Sequence, residues 1–123
     1  MGSIDNMIKS SCPEGVPFKC LREIGEIERG NGLQKKDFVD SGYPCIHYGQ
    51  LYTKYSISAS EVISFVSEEL ANSLKKVNPG DILFAVTSEN VEDVCKCIAW
   101  MGSYPVVTGG HTAIFRHSQN AMY

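Results

Sequence analysis

The chain has 123 residues, 43% of them hydrophobic, 10% aromatic and 20% charged. This is one domain's length with enough apolar residue for a core, which excludes a disordered chain and any need for a metal or disulfide staple. The formal charge of -3 argues against a general polyanion binder. It is unevenly placed, however: residues 1–56 carry seven Lys/Arg and seven Asp/Glu, and residues 57–123 carry four and seven. A phosphate-facing surface is therefore expected from the first half.

In chain order, residues 1–17 read as a short helical start and then a turn-rich loop through Cys12-Pro13-Glu14-Gly15. Leu21, Ile24 and Ile27 recur every third residue, which predicts a helical turn leading into a short strand ended by Gly30. Gly30 to Asp37, with two glycines and the pair Lys35-Lys36, reads as a loop. Tyr43 to Gly49 reads as a strand, with Pro44 tolerated near its beginning. The clearest helix follows Val66: Ser67 suits the N-cap, Glu68 and Glu69 the positive end, and Lys75 and Lys76 the negative end, before Asn78-Pro79-Gly80-Asp81 stops it. Ile82 to Val86 is a continuous apolar strand, expected to be buried on both faces, and Thr87 to Asn90 leaves it as a polar loop. Cys95–Met101 and Tyr104–Thr108 read as paired strands about a Gly102-Ser103 hairpin turn, with Trp100 in the core. Thr112 to Arg116 is a last strand. Five or six short strands and one or two helices make an α+β domain, with turns too closely spaced for βαβ crossovers.

Three kinds of chemistry can be weighed on these elements. Cys45 and His47, and Cys95 and Cys97, stand two apart on expected strands, but there is no C-x-x-C pair and buried cysteine is ordinary core filling. A zinc site is not expected, nor any cofactor. No elbow or strand-to-helix signature surrounds a cysteine, so a Cys/His hydrolase is the weaker alternative and no catalytic residue is assigned. Gly30-x-Gly32 and Gly109-Gly110 do not complete a phosphate-binding pattern. The third constellation is distributed over Gln34-Lys35-Lys36, then His47-Tyr48-Gly49-Gln50 with Tyr52-Thr53-Lys54, then Ser88 and Asn90. Lysine and hydroxyl side chains suit phosphate oxygens, and Gln or Asn can bond an adenine edge in the major groove. The plainer reading is a polar surface, with Tyr48, Tyr52 and Tyr55 covering a sheet edge and His111 a turn residue. Glu89 could accept from a cytosine amino group, or be a solvated loop acid. Five cysteines without a leader segment point to free thiols in a reducing, cytoplasmic compartment. No apolar run approaches the roughly 18–20 residues of a membrane span, so no membrane partner is expected.

Several motifs in order carry a resemblance. Cys12-Pro13-Glu14-Gly15-Val16-Pro17-Phe18-Lys19-Cys20-Leu21-Arg22-Glu23-Ile24 resembles the opening of specificity subunits of type I restriction–modification systems, with Arg22 where that opening usually has glycine. Arg29 to Phe38, Gly42 to Thr53, Pro79-Gly80-Asp81-Ile82-Leu83, Thr87 to Val94, Gly109-Gly110-His111 and Ile114 to His117 follow as in that family's target recognition domain. The resemblance implies a mostly antiparallel, highly twisted sheet with one or two short helices. It implies no catalysis, but reading of one half of a bipartite site in double-stranded DNA for methylation and restriction subunits. Lys35, Lys36 and Lys54 would then hold phosphates, with Gln34, His47, Gln50 and Asn90 as candidate base readers and Tyr48, Tyr52, Thr53 and Ser88 beside them. Against that plan the chain is expected to be a partial recognition domain, C-terminally truncated, without the spacer helix or second domain. Self-association or a regulatory role with little DNA binding is the alternative expectation.

Overall fold

The computed structural model describes residues 2–88 and 90–118. It is a mixed α+β fold in which two sheets, each containing antiparallel and parallel pairs, carry a few short helices. In chain order the elements are α1 (Gly2–Ser11), α2 (Leu21–Ile24), β1 (Gly25–Arg29), a 3-10 turn (Lys35–Asp37), β2 (Tyr43–Ile46) and α3 (Tyr48–Thr53). Then come β3 (Ser58–Ala59), β4 (Ser64–Val66), α4 (Glu68–Ser73), β5 (Lys75–Val77), β6 (Ile82–Ala85), β7 (Cys97–Trp100), β8 (Val106–Thr108) and β9 (Thr112–His117). The larger sheet has the order β1-β9-β6-β7-β3 and the smaller β4-β2-β8-β5.

Strand alternation explains how the layers stack. Successive side chains on a strand point to opposite faces. Ile46 and Val106 of the smaller sheet therefore join Leu83, Ile98, Trp100 and Ile114 of the larger one in a core between the sheets. Their neighbours Cys45 and Val107 point the other way, into a second cluster with Leu33, Val66, Ala71 and Leu74 under α4. A strand covered on both faces reads as an unbroken apolar run. α4 sits as its sequence directs, with Ser67 Oγ accepting from Leu70 N at 3.2 Å. The loop after β1 returns closely on the backbone before β9: a Cβ on Gly109 would lie 2.7 Å from Leu33 Cβ, and one on Gly30 would strike the Gly109 carbonyl. Both positions need glycine for that approach.

The sequence expectations need correction in several places. The chain does not turn back as a hairpin at Gly102-Ser103; β7 lies in the larger sheet and β8 in the smaller. Gly102 packs on the ring of Trp100, whose Nε1 donates to Tyr104 O at 2.8 Å, and this turns the chain from one sheet to the other. Residues 47–49 do not extend β2 but open α3. Lys75 and Lys76 do not end α4: they form β5, paired with β8. β6 alternates, with Leu83 and Ala85 buried and Ile82 and Phe84 only half-buried, and Val86 is exposed. Cys95 lies outside β7, in a turn with φ 66°, so it does not share a strand face with Cys97. Two pairings, β2 with β8 and β3 with β7, are parallel despite the short connections. Each joins segments far apart in sequence, a pairing that turn spacing does not reveal.

Candidate nucleic-acid interface

The chain turns at the end of β2 because its own side chains cap the next helix. His47 Nδ1 accepts from Gly49 N at 3.2 Å, so the imidazole is the N-cap of α3. Gln50 Oε1 accepts from His47 N at 3.1 Å, and Gln50 Nε2 donates to Ser64 Oγ at 3.0 Å, tying α3 to β4. Leu51 anchors the helix in the core. Facing α3 is the 3-10 turn, closed by Asp37 Oδ2 accepting from Gln34 N at 2.9 Å. Phe38 packs edge-on against His47 with ring centroids 5.9 Å apart. Between these elements lies a cleft of about 370 Å³ whose lining includes Lys35, His47, Tyr48, Gln50, Tyr52, Thr53 and Lys54. Two of the three segments singled out in the sequence thus meet at one place.

The third segment, Ser88 and Asn90, does not line the cleft, but a residue that the sequence marks only as a turn, His111, lies beside Tyr48. The ring of Tyr48 lies between two imidazoles, 4.6 Å from His47 and 4.7 Å from His111. His111 Nδ1 is 3.0 Å from Thr87 Oγ1, one residue before Ser88. Tyr52 meets Tyr48 edge-on at 6.3 Å, and Tyr52 and Tyr55 also pack against the core between the sheets.

Lys35, Lys36 and Lys54 are exposed, and among the described residues none of them forms an ion pair. The second-half cations are largely engaged internally: Lys75 and Arg116 pair with Glu28, and Lys96 with Asp93 at 3.0 Å. Lys76 donates to Ala71 O at 2.6 Å and lies over the Tyr43 ring. Burial, then Lys35 and then His111 push His47 below the ordinary imidazole range, so it is a neutral cap.

Several polar groups nominated as base readers are spent inside the protein. Both ends of the Gln50 amide, and His47 Nδ1, serve α3. Asn90 Nδ2 donates to Asp93 Oδ2 at 3.0 Å, and Asn90 Oδ1 accepts from Asp93 N at 2.8 Å, closing the turn after it. Ser88 Oγ accepts from Asn90 N at 3.2 Å. Thr53 Oγ1 donates to Gly49 O at 2.7 Å, although the residue remains exposed. Gln34 and Lys36 are exposed and stand beside the cleft lining. Glu89 lies outside the described residues. His111 is a turn residue, as its paired glycines suggest, but that local signal does not reveal its distant aromatic neighbour, nor the contact of Phe38 with His47.

Burial pushes the Cys45 thiol up, against a smaller lowering effect of Ser64, and also raises Cys97. A nucleophilic cysteine needs the opposite shift. Among the described residues no three His, Cys, Asp or Glu side chains group to hold a metal ion, and no helix is long and apolar enough to cross a membrane. All five cysteines are free. No protein-family model matches the chain, and no curated protein matches it.

Proposed function

We propose that this chain is a sequence-specific recognition module for double-stranded DNA, of the kind carried by type I restriction–modification specificity subunits. In that reading it serves one half of a bipartite site, without catalysis of its own, for methylation and restriction subunits. The observation that carries the reading is the group of unpaired lysines, Lys35, Lys36 and Lys54, around a cleft walled by Tyr48 and Tyr52. Cations without carboxylate partners can exchange counterions for phosphates at little internal cost. Tyr48, Tyr52, Thr53 and Gln34 stand where base edges or sugars would come, while His47, Gln50 and Asn90 hold the surface in shape. Five free thiols suit the reducing, cytoplasmic setting in which such a module would work.

Selection from a random duplex pool at low salt tests the reading. It should enrich one short sequence, with each wrong base pair costing about 1–3 kcal/mol. Recovery of an unchanged pool would contradict sequence reading.

Self-association is a second reading, favoured by the N-terminal segment. α1 buries none of its residues, and Ile4, Met7 and Phe18 are 68%, 66% and 101% exposed. A second copy covering this segment would give a concentration-dependent dimer weakened by Met7→Ser with Phe18→Ser. Light scattering that shows a monomer at high concentration would contradict it.

A further inference from the structure

His111 is exposed, yet its ring is placed from several sides. Tyr48 lies against it at a tilt, Thr87 Oγ1 meets Nδ1, and Val86 N donates to His111 O at 3.0 Å. Arg29 Nε fixes the preceding residue by donating to Gly110 O at 2.8 Å. With Nδ1 occupied by Thr87, Nε2 is the ring nitrogen left for an outside partner. The imidazole stands at the Tyr48 end of the lysine cleft, beside Thr87.

We propose that His111 is a DNA-contacting residue of this interface, donating from Nε2 to a backbone phosphate as an imidazolium. The inference rests on the duplex-binding reading above. The charged or titratable groups around the ring are Tyr48 and His47 of α3, Lys35 of the 3-10 turn behind His47, and Arg29 of β1 on the adjoining carbonyl. Among the described residues no carboxylate forms an ion pair with His111. An anion seated against an imidazole favours the charged form. Binding should then be coupled to proton uptake. Burial, then Lys35 and then His111 lower the proton affinity of His47, whose Nδ1 already accepts from Gly49 N.

The test is fluorescence anisotropy with a rhodamine-labelled duplex, for the unaltered protein, His111→Gln and His111→Lys. The unaltered protein should bind more tightly as pH falls from about 8 to about 5.5, by at most about tenfold per pH unit, the limit for one linked proton. His111→Gln should keep the affinity seen at high pH and lose the gain at low pH. His111→Lys, charged throughout, should bind at high pH as tightly as the unaltered protein does at low pH, without pH dependence. Retention of the gain in His111→Gln, or duplex binding by the unaltered protein that ignores pH, would overturn the inference. Absence of salt-dependent binding at every pH would instead overturn the duplex-binding reading, and this inference with it.

Discussion

Gln50→Ala separates a base-reading role from a structural one. The amide makes two internal bonds, accepting from His47 N at 3.1 Å and donating to Ser64 Oγ at 3.0 Å. A net hydrogen bond contributes about 1 kcal/mol, so losing both should cost about 2 kcal/mol. Ser64 Oγ still donates to Cys45 O at 3.0 Å, but the backbone N–H of buried His47 loses its acceptor, so about 2 kcal/mol is the lower end of the cost. For a chain of this length, about 2 kcal/mol lowers Tm by about 8 °C. Thermal unfolding by circular dichroism reads this directly. Because α3 carries Tyr48 and Tyr52 and leads into Lys54, loosening it should weaken binding to all duplexes alike. An unchanged Tm, with affinity lost for one sequence only, would refute the structural role and restore Gln50 as a reader.

Other perturbations probe the frame around the site. Ser67→Ala removes the cap on Leu70 N and should cost about 1 kcal/mol, or about 4 °C in Tm, by the same unfolding measurement. Gly102→Ala drives a methyl into the Trp100 ring and should cost about 1–3 kcal/mol. The chain has a single tryptophan, so its fluorescence should shift to the red as the buried ring is displaced. His47→Asn keeps an acceptor at the cap but removes a buried imidazole whose proton affinity is lowered on folding. In the unaltered protein the unfolded state takes up that proton first. The stability from neutral His47 is therefore complete above about pH 6.5 and lost as pH falls through the lower folded value. Tm measured across this range should fall less steeply for His47→Asn than for the unaltered protein.

Short-range signals were legible where one side chain decides one backbone event. Ser67 caps α4, the Leu21–Ile24–Ile27 spacing gives α2 running into β1, and the apolar runs give β6 and β9. The failures lie where distant contacts override local preference. Tyr48-Gly49-Gln50 has little helical tendency, and α3 forms because His47 and Gln50 cap it and Leu51 is drawn into the core. The Gly102-Ser103 turn has hairpin chemistry, but Trp100 and Val106 belong to different sheets. At the site, exposed lysines near aromatics could be read from residue type. The roles of Gln50 and Asn90 could not, because an amide able to read adenine is equally able to close a turn. His111 was invisible as a neighbour of Tyr48 because only the packing of the loop after β8 against α3 brings them together.

The central claim is that the lysines around this cleft hold phosphates, and the salt dependence of duplex binding tests it most directly. Three contacts should give a slope of log K against log salt of roughly -2.7, hence about a 40-fold loss of affinity between about 50 and 200 mM. Lys35→Ala, Lys36→Ala and Lys54→Ala combined should flatten the slope by that amount, while Tm stays within about 1 °C because the three side chains are exposed and unpaired. Unchanged affinity and slope in the triple variant would contradict the account.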